Sequence, residues 1–301
     1  MTDAAPAIAT FGLGKRYAGS HKFALKQLNL NIMPGEIYGF LGPNGAGKST
    51  TIRLLMNFIQ PTQGHAVIGN KNVVEDSVEI KRRIGYLAGE VTIYPKMTGH
   101  QFLSYMAVLQ PPKRKGFAIA LAKTFQLDLN QKIGALSKGN RQKVGIVQAF
   151  MHEPEILILD EPTAGLDPLM QEAFFELIRG LRRHGVTIFF SSHNLNEVQK
   201  ICDRVGFIRA GKLIAEQAIS DFAQVATQTY SVSFAGPAPL AELKQIPRAK
   251  VQANTSRHVT IQIKGELKPF FALLARHKVT SLDRQEANLE DEFLRFYRGD
   301  H

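Results

Sequence analysis

Residues 42–50 read GPNGAGKST, the Gly-x-x-x-x-Gly-Lys-Ser pattern of a phosphate-binding loop. The apolar run 37–41 precedes this stretch and a helical pattern, 51–58, follows it, which is the strand, loop and helix context that the pattern requires. Its glycines let backbone N–H groups turn toward an anion, and the N-terminus of the new helix adds partial positive charge. The stretch therefore predicts an α/β fold that binds a nucleotide.

The same loop supplies charged and metal-binding groups. Lys48 adds a full positive charge for the phosphates, and Ser49 is placed to hold a magnesium ion. The residues that we expect to contact the nucleotide in this loop are Gly42, Pro43, Asn44, Gly45, Ala46, Gly47, Lys48, Ser49 and Thr50.

Composition limits the compartment and the number of domains. With 301 residues, of which 44% are apolar, the chain can bury one large core or a large and a small one. A single cysteine, Cys202, excludes an intrachain disulfide. No apolar run reaches the roughly 18 residues that span a bilayer, and residues 1–10 lack the features of a signal peptide. We expect a cytoplasmic protein.

The net charge of +11 is compatible with nucleic acid or an anionic membrane surface as a partner. Residues 218–301 contain 11 Lys and Arg against 9 Asp and Glu, a net charge of +2, so residues 1–217 carry +9. The densest basic patch is Lys113-Arg114-Lys115, and aromatic residues are not interleaved with the basic ones. No specific nucleic acid partner is therefore expected.

Two chain regions differ in pattern. Residues 1–217 combine early strands at 8–11 and 24–32, a helical block between about 98 and 152, a helix at 168–184, a strand at 186–190 and a hairpin through Ala210-Gly211. From 218 to 301 the pattern changes to strands at 230–234, 259–263 and 279–282 with helices at 268–277 and 289–297. This second region predicts a small α+β domain.

Two carboxylates follow a buried strand. The apolar run 156–159 ends in Asp160 and Glu161, which should project into the crevice where parallel α/β sheets bind nucleotides. We expect Asp160 to hold magnesium together with Ser49, and Glu161 to orient or deprotonate the attacking water. His193 follows the next strand and is a candidate to contact the same terminal phosphate, although a lone histidine there is more often structural.

The order of motifs resembles that of ATP-binding cassette (ABC) ATPases. The phosphate loop is followed by LSKGNRQ at 136–142, the Asp160-Glu161 pair, AGLD at 164–167 and Ser192-His193. The resemblance covers residues 7–217 and implies a phosphate-loop NTPase core with an antiparallel β subdomain and a helical subdomain. It also strengthens a catalytic role for His193 beside Glu161 and Lys48.

The resemblance further implies that two copies enclose two ATP molecules. Ser137 and Gly139 would face the γ-phosphate bound by the partner copy, and Gln142 belongs to the same signature. Asp167 would communicate across the interface between the two copies. Tyr17 occupies the position where the family stacks an aromatic ring on adenine, although such a tyrosine is often packing material. Residues 91–106, with Ile93, Tyr94, Met97 and Phe102, would form the groove that receives a transmembrane permease subunit, although an apolar helical face is more often simple core.

Two departures from the family pattern stand out. Lys138 replaces the usual glycine of the signature, a form that resembles the exporter branch. After Ile84-Gly85-Tyr86-Leu87 the family usually has a glutamine that touches magnesium, whereas this chain has Ala88-Gly89-Glu90. Either Glu90 replaces that glutamine as a metal ligand, or the loop reaches the metal through water.

The region 218–301 resembles the C-terminal domain of exporter ATPases for drugs, antibiotics or polysaccharides, mainly through NLEDEFL at 288–294. We therefore expect a peripheral ATPase subunit on the cytoplasmic face of the membrane that drives export of an unidentified substrate. The alternatives are an importer ATPase, a soluble ABC ATPase acting on ribosomes or nucleic acid, and an ATP-responsive interaction module. The net charge of +9 favours the soluble alternative, and the single cassette speaks against it.

Overall fold

The structure is a computed structural model that describes residues 5–91, 93–221, 228–263 and 266–285. The chain divides into two compact units, Met1–Gln217 and Ala218–His301. The first ten strands are β1 (Ile8–Arg16), β2 (Phe23–Ile32), β3 (Ile37–Leu41), β4 (Gln63–Ile68), β5 (Lys71–Asn72), β6 (Ile84–Leu87), β7 (Ile156–Asp160), β8 (Thr187–Ser192), β9 (Arg204–Arg209) and β10 (Lys212–Ala218).

The first unit also contains helices on and around these strands. They are α1 (Lys48–Leu55), α2 (Ser77–Arg83), α3 (Gly99–Leu109), α4 (Phe117–Thr124), α5 (Lys138–Phe150), α6 (Pro168–Arg183) and α7 (Leu195–Ile201), with a 3₁₀ turn at Ile133–Ala135. The strands form a four-stranded sheet, β2-β1-β4-β5, and a six-stranded sheet, β10-β9-β3-β8-β7-β6. The first sheet is antiparallel and the β9-β3-β8-β7-β6 pairs of the second are parallel.

This architecture confirms the predicted α/β phosphate-loop fold with its antiparallel and helical parts. The strands β3, β7 and β8 are buried along their whole length, as expected for a parallel sheet covered on both faces. One apolar cluster joins the antiparallel sheet to α1 and the central strands, through residues such as Leu30, Ile52 and Phe189. The fold thus holds the strand that precedes the phosphate loop in the middle of a packed sheet.

The strand register explains how distant parts of the chain meet. Leu41 pairs with Ser192 between β3 and β8, and Asp160 pairs with Ser191 between β7 and β8. The residues that follow each strand therefore leave the sheet at the same edge and at the same level. The phosphate loop, Glu161 and His193 consequently emerge side by side.

Some predicted boundaries were wrong. Strand β1 continues to Arg16, beyond the predicted end at residue 11, because bulges at the positive-φ Gly12 and its neighbours keep it paired with β2 and β4. Helix α1 begins at Lys48 and ends at Leu55, so the last residues of the phosphate loop are already helical. The sequence reading missed α2 and β6, which are short elements of seven and four residues.

The described part of the second unit is a four-stranded antiparallel sheet with two short helices, and the strands lie in the order Ala249–Ala253, His258–Ile263, Gln228–Phe234 and Val279–Gln285. Its core packs Tyr230, Val232 and Ile261 of the sheet against Phe270. The sequence analysis did not predict the strand at Ala249–Ala253. The predicted helix at 289–297 and the motif at 288–294 lie outside the described residues. Its elements are β11 (Gln228–Phe234), α8 (Leu240–Leu243), β12 (Ala249–Ala253), β13 (His258–Ile263), α9 (Lys268–Leu274) and β14 (Val279–Gln285).

Candidate nucleotide site

The phosphate loop is held open by glycines that cannot be replaced without strain. A Cβ on Gly42 would lie 2.4 Å from the Ile208 carbonyl oxygen, and Gly47 has a φ of 117°. The Gly42 N–H donates to the Ser192 carbonyl at 3.3 Å, which ties the start of the loop to the end of β8. Gly47 gives α1 no side-chain cap, so the first N–H groups of the helix remain available to an anion.

Lys48 lies within this loop with only 5% of its side chain exposed. Its Nζ donates to the Gly42 carbonyl at 2.7 Å and to the Pro43 carbonyl at 3.3 Å. The same atom forms an ion pair with Glu161 Oε1 at 3.2 Å. Because an ammonium has three hydrogens, Lys48 has an acceptor for each of them. It must exchange one of these acceptors to bind a phosphate.

Glu161 connects the loop to His193. Its second oxygen, Oε2, is 2.9 Å from His193 Nδ1. Glu161 has a φ of 45°, a left-handed conformation that is rare for a residue other than glycine, and its N–H donates to the Ser191 carbonyl at 3.1 Å. The structure thus brings together Lys48, Glu161 and His193, the three predicted catalytic residues, in one chain of contacts.

Asp160 lies at the end of β7 and is almost fully buried. Its Oδ1 accepts a hydrogen bond from Ser191 Oγ at 2.6 Å. A Cβ on Gly89 would be 3.5 Å from Oδ2, so the loop after β6 passes directly beside this carboxylate. Burial, and then the negative charge of Asp160, raise the pKa of Tyr86 to about 12.

Ser191 is a site residue that the sequence reading missed. Its hydroxyl donates to Asp160, and the Glu161 N–H donates to the same hydroxyl at 3.2 Å. One side chain therefore positions both carboxylates. The signal lies in the strand register, because Ser191 stands opposite Asp160 in the parallel pair, and register cannot be read from one sequence.

The sequence analysis also missed Glu197, which lies on α7 and whose contact with the turn after β7 depends on the tertiary fold. Its two oxygens accept hydrogen bonds from Ser192 Oγ at 2.7 Å and from Thr163 Oγ1 at 2.8 Å. The carboxylate of Glu197 therefore joins the turn after β7 to the end of β8. It holds the segments that carry Glu161 and His193 against each other.

The metal candidates Ser49 and Glu90 are both exposed. Ser49 lies in the first turn of α1, beside Lys48. Glu90 follows Gly89 in the loop after β6, while Thr92 lies outside the described residues. A Cβ on Gly89 would also lie 3.3 Å from the Asp160 carbonyl oxygen, so the backbone at Gly89 passes close to Asp160.

Tyr17 lies just beyond the end of β1. Its hydroxyl is 3.4 Å from Thr50 Oγ1, at the start of α1, and 37% of the residue is exposed. The structure therefore places this ring beside the phosphate loop with part of its surface open.

The predicted signature residues have well-defined local contacts. Ser137 caps α5, with its Oγ accepting from the Asn140 N–H at 3.2 Å. A Cβ on Gly139 would lie 2.5 Å from the Gly165 carbonyl oxygen, so α5 packs closely on the turn before α6. Gln142 is buried and its Nε2 donates to the Pro162 carbonyl at 3.0 Å, which supports the turn that contains Glu161.

Asp167 is the N-cap of α6. Its Oδ1 accepts a hydrogen bond from the Met170 N–H at 2.9 Å, and Pro168 takes the first helical position. The side chain is exposed, so this local function leaves its second oxygen accessible to another molecule.

Comparisons with known proteins show similarity to ABC transporter ATP-binding proteins. A family model described as ABC transporter matches residues 25–164. The ABC transporter ATP-binding protein NatA of Bacillus subtilis is 40% identical over 202 residues, which are 65% of this chain and 82% of the relative. The bacitracin transport ATP-binding protein BcrA of Bacillus licheniformis is 41% identical over 212 residues, or 69% of each chain.

A solved structure extends the comparison to the fold. It is a dimeric, post-hydrolysis ATP-binding cassette bound to ADP and Pi, with a TM-score of 0.65 and 26% identity. The match covers 70% of this chain and 98% of the solved one.

Proposed function

Because the chain belongs to the ABC transporter family, as an ATP-binding subunit with an ATPase domain, we propose that it drives export of a substrate through separate membrane subunits. The serine-lysine-glycine form at 137–139 and the similarity to a bacitracin transport protein support export over import. Among the described residues, no helix is long and apolar enough to cross a membrane. In this proposal the chain is peripheral, on the cytoplasmic face.

The observation that carries the ATP-hydrolysis part of the proposal is the contact of Glu161 with both Lys48 and His193. When ATP enters, the Lys48 ammonium turns to its phosphates and releases Glu161 Oε1. That oxygen then accepts a proton from the water that attacks the γ-phosphate, and the bond to the β-phosphate oxygen breaks to leave ADP and phosphate. His193 holds Oε2 and orients the carboxylate toward the water.

The Asp160 region fits a magnesium ion. The Asp160 carboxylate and the Ser49 hydroxyl are hard oxygen ligands of the kind that this ion prefers. Asp160 Oδ1 is bonded to Ser191, whereas Oδ2 faces the loop at Gly89. In the part of the chain that the structure describes, no group of three or more His, Cys, Asp and Glu residues could hold a metal. This agrees with an ion that takes most ligands from phosphates and water. Asp160, Ser49 and Glu90 would hold it, and it would neutralise phosphate charge.

The remaining predicted residues complete a nucleotide site shared by two copies. Tyr17 would stack on adenine, residues 42–50 would surround the phosphates, and Ser137 and Gly139 would reach the γ-phosphate bound by the second copy. Gln142 would support the turn that carries Glu161 through its hydrogen bond to the Pro162 carbonyl. Asp167 would contact the partner copy with Oδ2, the oxygen that does not cap α6. The dimeric state of the similar cassette supports this arrangement.

The permease surface is proposed at the start of the helical part. Tyr94 is 54% exposed, and its ring contacts those of Phe102 and Tyr105 at centroid distances of 6.4 and 6.0 Å. A cavity of about 290 Å³ next to this stretch is lined by Val91, Ile93 and Ile133 among others. Phe102 itself is buried, whereas Tyr94 and Tyr105 are exposed, and two exposed tyrosines beside a small cavity suit an inserted helix of a membrane subunit.

Steady-state phosphate release from ATP tests the assignment of Glu161. We expect Glu161→Gln to lower turnover by at least about 100-fold, because general bases contribute roughly that factor. The matched control is Glu176→Gln, which removes a carboxylate from the exposed face of α6. Equal turnover of the two variants would refute the role of Glu161.

Copurification of membrane subunits after mild detergent extraction tests the transport part of the proposal.

A further inference from the structure

Lys15, near the end of β1, places a positive charge beside the ring of Tyr17. The ammonium of Lys15 lies 5.6 Å from the centroid of the Tyr17 ring, within the range of a cation–π interaction. Its Nζ also donates to the Gln60 carbonyl at 2.7 Å, and the Lys15 side chain is half-buried. The cation is therefore anchored next to the ring rather than free in solvent.

Tyr17 is consequently held at two points. Its hydroxyl is near Thr50 at the phosphate loop, and its ring lies under Lys15. The ring also lines a cavity of about 560 Å³ together with Ser20, His21 and Thr62. A ring that is fixed in this way loses little conformational entropy when a flat ligand stacks on it.

We infer that Lys15 is a positioning residue for the nucleotide base, acting through the Tyr17 ring. This inference rests on the proposed stacking of the base on Tyr17. The anchored cation attracts the electrons of the ring, which makes the ring a better partner for an electron-rich purine. Lys15 does not contact the phosphates in this scheme, so its effect is confined to ligands that carry a base.

Lys22 provides a matched control for charge. It lies, like Tyr17, in the segment between β1 and β2, is exposed, and bears one positive charge like Lys15. Its backbone, rather than its ammonium, is bonded to Ser20 Oγ at 3.1 Å. Replacing Lys22 therefore removes general positive potential without changing the cation over the ring.

The test measures binding to the full-length protein by isothermal titration calorimetry. The probes are the non-hydrolysable ATP analogue AMP-PNP and inorganic tripolyphosphate, which has no base. Lys15→Met should weaken AMP-PNP about 3- to 10-fold, the range expected for a cation–π contact, and leave tripolyphosphate binding unchanged. Lys15→Arg keeps a cation over the ring and should restore AMP-PNP affinity. Lys22→Met should affect both probes equally or not at all.

A double-mutant cycle separates the possible failures. In the Tyr17→Leu background, Lys15→Met should have no further effect on AMP-PNP. Equal weakening of both probes by Lys15→Met, or no weakening of either, overturns the inference while leaving the phosphate site intact. If Tyr17→Leu itself leaves AMP-PNP affinity unchanged, the proposed stacking on Tyr17 has failed. Tripolyphosphate binding also shows that each variant retains a folded phosphate loop.

Discussion

At the scale of single residues, the site depends on carboxylates whose surroundings come from neighbouring strands. Ser191 holds Asp160 and the Glu161 backbone, and His193 holds the Glu161 side chain. The sequence predicted Lys48, Asp160, Glu161 and His193, because each follows an apolar strand or belongs to a motif with fixed spacing. It did not predict that Lys48 and Glu161 form an ion pair, since such a contact depends on the three-dimensional path of the loop.

The loop at Gly89 and Glu90 gives the first residue-scale prediction. The backbone at Gly89 lies beside Asp160, and Glu90, the next residue, is the acidic residue of this loop. Glu90→Ala should therefore lower ATP turnover several-fold while changing ATP affinity less. Unchanged turnover in a steady-state assay would show that Glu90 does not replace the missing glutamine.

His152 gives a prediction about pH. It is buried after α5, with Nε2 3.2 Å from the Ile84 carbonyl oxygen, and burial lowers its pKa below the ordinary value of 6.5. As the pH falls below 6.5, the unfolded chain gains a proton at this histidine that the folded chain resists, so the folded state loses stability. The loss stops once the pH is below the lowered pKa.

The thermal unfolding midpoint at pH 7.5 and pH 5.5 checks this prediction. The wild-type protein should lose more stability on acidification than His152→Gln, which keeps a hydrogen-bond donor and does not titrate. The difference is limited to about 1.4 kcal/mol per pH unit, the value for one proton. The same pH dependence in both proteins would assign the loss to other groups.

At the scale of secondary structure elements, the contact between α5 and the turn before α6 is tight. A methyl group at Gly139 would meet the Gly165 carbonyl at 2.5 Å, so Gly139→Ala must push α5 away from this turn. We predict that the variant binds ATP as the wild type does but hydrolyses it at least about 10-fold more slowly, because in our proposal the signature acts on the ATP bound by the second copy.

Lys138→Ala is the control, since Lys138 is exposed at the start of the same helix. It should retain more activity than Gly139→Ala in the same phosphate-release assay. If Gly139→Ala hydrolyses ATP at the wild-type rate, the close contact between Gly139 and Gly165 is not needed for ATP hydrolysis.

Elements with a strong periodic pattern were predictable, and short or bulged ones were not. The apolar strands β3, β7 and β8 and the amphipathic helix α6 matched the sequence reading closely. Strand β1 was read as ending at residue 11, because its glycines resemble a turn although the sheet pairs them through bulges. The strand β12, with the sequence AKVQA, is too short and too polar for its pattern to distinguish it from a loop.

At the scale of the whole molecule, each unit has its own apolar core. All the residues proposed to bind ATP lie in the unit Met1–Gln217. We therefore propose that a chain ending at Gln217 folds and retains ATP binding and basal ATP hydrolysis. Phosphate release by this shortened chain, compared with that of the full chain, tests whether the first unit is active on its own. Loss of folding in the shortened chain would show that the first unit needs the second for stability.

The central claim is that two copies of this chain close on ATP and that Glu161 starts its hydrolysis. The most direct test is the mass of the Glu161→Gln variant, measured by size-exclusion chromatography with light scattering. In the presence of ATP and magnesium we predict a stable species of twice the monomer mass, which dissociates when ATP is removed. A variant that binds ATP and yet remains monomeric at every protein concentration would contradict the account.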